Sequence, residues 1–160
     1  MSRSGASSKK RILISDPVYN DRLLAKFINR AMRNGKKNAA EKEVYLALQK
    51  IKVKLNQDPL LVFHQALDNV KPQMEVRSRR VGGAAYQVPM SVRTERKESL
   101  AIRWLIQAAQ KRSSKDFHGF ADKLSTELVD AFNNTGGAIK KKEDTHRMAE
   151  ANKAFSHFRW

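Results

Sequence analysis

Met74-Glu75-Val76-Arg77-Ser78-Arg79-Arg80-Val81-Gly82-Gly83-Ala84-Ala85-Tyr86-Gln87-Val88-Pro89-Met90-Ser91-Val92 is the stretch in which the chain changes its period. Met74, Val76, Ser78 and Arg80 alternate with Glu75, Arg77, Arg79 and Val81. Beyond the glycines, Tyr86, Val88, Met90 and Val92 alternate with Gln87, Pro89, Ser91 and Arg93. Side chains along a strand point to opposite faces in turn, so period two on both sides of Gly82-Gly83 predicts a β-hairpin at about residues 73–92. A two-residue Gly-Gly loop pairs Arg79 with Tyr86 and puts the apolar residues of the two strands on opposite faces. A three-residue loop, Gly82-Gly83-Ala84, pairs Arg80 with Tyr86 and Val76 with Met90, and is the expected register. Pro89 fits, because both strands of a lone hairpin are edges.

Outward from the hairpin the period is helical on both sides. Upstream, Asp16-Pro17 opens the folded part, and Leu23, Leu24, Phe27, Ile28, Ala31 and Met32 form a first stripe ended by Gly35. Asn38 with Glu41 three residues on reads as a capping-box variant before Val44, Ala47, Leu48, Ile51 and Leu55. Asp58-Pro59 is a cap followed by a first-turn proline, and it starts a third helix with Leu60, Phe63, Leu67 and Val70. Downstream, a fourth helix over about residues 94–112 is apolar around most of its circumference, as a central buried helix should be. Phe117, Phe120, Ala121, Leu124, Leu128 and Phe132 give a fifth, and residues 138 to about 158 a sixth, mostly polar one. The expected fold is mostly α: a six-helix bundle-like domain over residues 16–160 with one protruding β-hairpin, preceded by a flexible basic N-terminal arm over residues 1–15.

The chain has 160 residues, of which 32 are Lys or Arg and 16 Asp or Glu, a formal net charge of +16. At 41% apolar residues it can build a modest core, which sets it apart from disordered basic tails. It contains no cysteine, which rules out disulfide scaffolds, thiolate metal sites and cysteine nucleophiles. No apolar run approaches the roughly 20 residues of a membrane span, and no apolar segment of signal-peptide length follows the Ser-rich N-terminus. The charge calls for an anionic partner, nucleic acid first, with no role for a membrane.

The cations gather in a few places. Arg3, Lys9, Lys10 and Arg11 lie on the arm, and Arg30, Arg33, Lys36 and Lys37 at the end of the first helix and its turn. Arg77, Arg79 and Arg80 lie on the outgoing strand, and Arg93, Arg96 and Lys97 just after the return strand. Lys140, Lys141 and Lys142 open the last helix, followed by His146, Arg147 and Lys153. A guanidinium fork donates two hydrogen bonds to two phosphate oxygens, and Gly82 and Gly83 allow close backbone approach to a phosphate or ribose. Tyr86 stands beside the arginines, where it could stack on a base or pack on the hairpin's apolar face. Glu143 and Arg147 are spaced to pair within the last helix. The histidines (His64, His118, His146, His157) have no metal-ligand spacing, no nucleotide-cradling or nucleophile motif is present, and Asp16, Asp58 and Asp116 read as helix caps. No enzyme, metal or cofactor is indicated.

Several blocks are specific beyond their chemistry. Asp16-Pro17, Leu23-Leu24-Ala25-Lys26-Phe27, Gly35-Lys36-Lys37, Arg79-Arg80-Val81-Gly82-Gly83, Tyr86-Gln87-Val88-Pro89, Ala101-Ile102-Arg103-Trp104 and the run from His146-Arg147-Met148-Ala149-Glu150-Ala151-Asn152 through Phe155 occur in this order. In this the chain resembles the small-subunit ribosomal protein seven family of bacterial and organellar type, from Asp16 almost to the C-terminus. The resemblance implies a six-helix domain with a hairpin arm. It also implies a structural protein that binds small-subunit ribosomal RNA and nucleates the head (three-prime major) domain of the subunit. The hairpin tip, here Arg80, Val81, Gly82, Gly83 and Tyr86, would lie near the exit-site tRNA and the mRNA path. Other proteins of the head and platform are implied as neighbours, on a ribosome in bacterial cytoplasm or plastid stroma. Ala84 stands where the family commonly has Ser or Thr. The rival from another class is a basic helical DNA-binding or architectural protein.

Overall fold

A computed structural model of the protein describes residues 14–158, so the arm's Arg3, Lys9, Lys10 and Arg11 lie outside the described residues. Within them the chain runs α1 (Arg22–Ala31), α2 (Lys37–Leu55), α3 (Pro59–Val70), β1 (Met74–Val81), β2 (Ala84–Ser91), α4 (Thr94–Lys111), α5 (Phe120–Phe132), α6 (Gly137–Ala151) and a 3₁₀ helix (Lys153–Phe158). The mostly helical architecture with one hairpin is the expected one.

Apolar spacing builds the core. Leu24, Phe27 and Ile28 of α1, Val44, Ala47, Leu48 and Ile51 of α2, and Val62, Phe63, Ala66, Leu67 and Val70 of α3 are buried. Each of the larger of these side chains contributes about 1.5–3 kcal/mol on burial. Phe27 and Phe63 meet edge to face, ring centres 5.5 Å apart. α5 packs against α2, α3 and α4, and α4 also packs against α6. α4 buries Leu100, Ala101, Ile102, Trp104, Leu105, Ile106 and Ala109. Its polar residues Arg96, Ser99, Arg103, Gln107 and Gln110 form one outward stripe at helical spacing. It is therefore central but not enclosed on every side.

Several expectations are corrected. The hairpin pairs Arg79 with Tyr86, Arg77 with Val88 and Val76 with Pro89, the two-residue-loop register rather than the three-residue one. Gly82 and Gly83 both take positive φ, 58° and 90°, the backbone that twists a two-residue turn in the sense of its strands. The expected register assumed a single apolar face. Adjacent residues Val88 and Pro89, which point to opposite faces, are both buried, because the hairpin base is covered on both sides. β1 packs against α6 and β2 against the 3₁₀ helix, while residues 82–85 at the tip stay exposed.

The caps differ too. α2 begins at Lys37 with no side-chain cap, so Asn38 lies inside the helix and is no capping residue. Asn34 and Gly35, at φ 51° and 72°, make the turn before it. Asp58 does cap α3, accepting from Leu60 N–H at 3.1 Å. The cap of α1 is Asp21, which accepts from Leu24 N–H; Asp16 instead organises the preceding turn through Val18 N–H, Tyr19 N–H and the Tyr45 hydroxyl. Burial and that hydrogen bond push the Tyr45 phenol above its ordinary value. α5 starts at Phe120 behind Gly119, leaving Asp116 outside the cap.

The last helix stops at Ala151. Asn152 turns its side-chain amide back to the Met148 carbonyl at 2.8 Å, a local bond that competes with helix continuation. Lys153 therefore opens the 3₁₀ helix instead of continuing α6, which carries Lys142 and His146. Arg147 faces Asp144 at 4.0 Å rather than Glu143.

Candidate nucleic-acid interface

Two kinds of charge occupy this fold, paired charge that holds elements together and exposed charge that meets solvent. The deepest pair is at the junction of α4, α5 and α6. Glu127, 1% exposed, accepts from Arg112 at 2.6 Å, and Arg112 also donates to Asp130. The second Glu127 oxygen accepts from the Ala138 N–H at the start of α6, at 2.9 Å. Burial works against the Arg112 charge, but the hydrogen bonds to Asp130 and Glu127 outweigh it and raise its pKa. Lys50 and Asp122 bridge α2 to α5, and that hydrogen bond holds the Asp122 carboxyl below the usual range.

The turn between α1 and α2 is the first exposed surface. Arg30, Arg33, Lys36 and Lys37 all face solvent, and Lys37 has a near carboxylate, Glu41 at 3.3 Å. Lys36 N–H closes the turn on the Arg33 carbonyl at 3.0 Å, which fixes the two cations relative to one another. Beside the turn, Arg30, Lys26 and Arg103 converge with Asn29 and Ser99 on a cleft of about 310 Å³ between α1 and α4. Lys26 donates to Glu98 at 3.0 Å. Lys26 and Arg103 are not singled out by sequence reasoning. For Arg103 a signal exists: it falls on the polar stripe that Arg96, Ser99, Gln107 and Gln110 draw along α4.

On the hairpin the charges are partly bound. Glu75, 7% exposed, accepts from Arg77 Nε at 2.7 Å and from Arg96 Nε at 2.7 and 2.9 Å. Each of those arginine side chains remains about half exposed, 51% and 50%, and a guanidinium has five N–H groups to share. The carboxylate therefore fixes two forks while leaving donors outward. Arg80 and Arg93 are exposed, Arg79 and Lys97 half-buried. Tyr86 lies between Phe155 and Phe158, ring centres 5.3 and 5.2 Å away, so its ring already packs on the 3₁₀ helix.

On α6 the row divides. Lys140 and Lys141 are exposed. Lys142 donates to the Asn69 carbonyl near the end of α3 at 2.7 Å. His146 Nε2 accepts from the Gln73 N–H at 2.9 Å, tying α6 to the base of the hairpin. Burial and then the Lys142 charge lower the His146 pKa, in keeping with a neutral, accepting ring. His64 meets Asp21 at 2.8 Å and lies edge-on to Phe63. Among the described residues no cluster of His, Asp or Glu is placed to hold a metal ion, and no helix is long and apolar enough to cross a membrane.

Exposed cations displayed on a braced helical body, with a hairpin beside them, define the class: a basic nucleic-acid-binding structural protein. Comparison carries this to a family. Residues 2–153 match the family model described as ribosomal protein S7p/S5e, and the chain belongs to that family. Over all 160 residues and the whole of each relative, it is 61% identical to the "Small ribosomal subunit protein uS7" of Paramagnetospirillum magneticum and 58% identical to that of Desulfovibrio desulfuricans. It is also 58% identical to the "Small ribosomal subunit protein uS7A/uS7B" of Cereibacter sphaeroides. Family membership makes the chain a structural RNA-binding protein of the small ribosomal subunit rather than an enzyme. These relatives are bacterial and lend no support to the plastid alternative.

Proposed function

We propose that the chain binds small-subunit ribosomal RNA through its separate basic surfaces and, by holding them on one body, nucleates assembly of the subunit head. The observation that carries this is the separation of roles among its cations. Arg112, Lys142 and His146 serve the fold, whereas Arg30, Arg33, Lys36, Lys37, Arg93, Lys140 and Lys141 face solvent. Phosphate contacts are made by such exposed groups, and they set orientation on the RNA. The arm's Arg3, Lys9, Lys10 and Arg11 add charge to the same binding. Arg77 and Arg96 contact RNA with the donors that Glu75 leaves outward.

The exposed tip, Arg80, Val81, Gly82 and Gly83, lies toward the exit-site tRNA and the mRNA path, while Tyr86 anchors the tip's base on Phe155 and Phe158. Proteins of the head and platform border the same body. Replacing residues 80–85 with Asn-Gly keeps the Tyr86 and Glu75 anchors. This variant is expected to retain helical circular dichroism and co-sedimentation with the small subunit after a salt wash, but to support translation poorly. Loss of helical signal would make the tip part of the core, and full translation activity would remove it from function. Competition with duplex DNA separates the rival: equal affinity for structured RNA and duplex DNA would favour the architectural DNA-binding protein.

A further inference from the structure

A second cavity of about 310 Å³ opens between the end of α1, the first turns of α2, the end of α4 and the start of α5. Its wall is apolar where it meets the core: Ala40 is half-buried, and Phe120 is half-buried and packed against the hydrophobic cluster. Ala39 is exposed at its mouth, and so are Arg33 and Lys36, the two cations of the closed α1–α2 turn. Glu43 also lines it, half-buried, with its Oε2 accepting from the Ala121 N–H at 2.9 Å. That bond orients the carboxylate, which has about four lone-pair sites and keeps others for a second donor.

We propose that this groove takes one unpaired nucleotide of the bound RNA, with its base against Phe120 and Ala40 and its phosphate on Arg33 and Lys36. An apolar pocket rimmed by two cations is complementary to a nucleotide, which is flat and apolar on its face and anionic at one end. The Glu43 carboxylate selects a base with an exocyclic amino group, such as cytosine or adenine, since a carboxylate can only accept. The mouth is built from a tight turn and helix ends rather than mobile loops, so the groove is formed before RNA arrives. This inference rests on the RNA-binding reading above and adds a base-reading site to its phosphate contacts.

The test uses Ala39→Phe, which fills the groove from its exposed mouth without entering the core, and Ala39→Ser as the open control. Affinity for the ribosomal RNA fragment is measured across a salt series, together with dimethyl sulfate reactivity of each unpaired A and C in the complex. Ala39→Phe is expected to weaken binding about 10-fold, within the range one stacked base contributes, while leaving the slope of log K against log salt unchanged. One A or C that the wild type and Ala39→Ser protect should become reactive. Wild-type affinity in Ala39→Phe would overturn the groove, as would exposure of several neighbouring nucleotides together or a shallower salt slope. A wild-type slope near zero would instead overturn the RNA-binding reading itself.

Discussion

The junction of α4, α5 and α6 and the turn between α1 and α2 are both rich in charge, yet they treat it oppositely. At the junction Arg112 is 20% exposed, Glu127 1%, and each is hydrogen-bonded to more than one partner. At the turn Arg33 and Lys36 are exposed, and the nearby ion pair of Lys37 with Glu41 leaves the lysine side chain 55% exposed. A buried ion pair leaves an uncompensated charge when one member is removed, whereas an exposed cation loses little when it stands alone. The same residue types thus divide into those that set the shape of the body and those that remain available to a polyanion. The net charge of +16 is therefore a poor guide to binding until each cation is located.

The sharpest way to break the comparison is Arg112→Met. It strands Glu127 in the core, and destabilisation of about 3–5 kcal/mol is expected by thermal or denaturant unfolding. A change under about 1 kcal/mol would show that the junction does not brace the body. Arg33→Ala with Lys36→Ala should do the reverse, leaving the melting temperature in place. The salt slope of RNA binding should then become shallower by about 0.7–0.9 for each phosphate no longer neutralised. An unchanged slope would remove this turn from the interface.

Much of that division is legible from residues alone, and some is not. Helix positions follow from apolar spacing, since burial of Leu24, Phe27 and their like decides which face turns inward. The basic clusters are visible because charge is written directly in the sequence. Pairing across the fold is what cannot be read. Glu75 beneath Arg77 and Arg96, Lys142 at the Asn69 carbonyl and His146 at Gln73 bring together residues from different elements. The hairpin register escapes for the same reason: its two covered faces depend on α6 and the 3₁₀ helix, which come some 60 residues later. The turn chemistry of Gly82-Gly83 is the local signal that outweighs the pattern of apolar residues.

A smaller effect concerns His146, which belongs to the bracing class although it stands in a basic row. Its pKa is held below the ordinary histidine value of about 6.5, so the folded state prefers the neutral ring. The stability it contributes is full above that ordinary value and is lost as pH falls from it through the lower folded value, because the unfolded chain takes up the proton first. Unfolding measured between about pH 7.5 and 5, a window that brackets the ordinary histidine value, should show this loss in the wild type and not in His146→Gln. Equal pH dependence in both would place the ring outside the brace. The least effect is expected for Lys37→Ala, about 0.5 kcal/mol or less of stability, since its pair with Glu41 is solvent-screened.

The central claim is that the exposed cations act together on one RNA, and salt dependence tests it most directly. With purified protein and its ribosomal RNA fragment, contact with about eight phosphates should give a slope of log K against log salt of about −6 to −7. A slope near zero would contradict it.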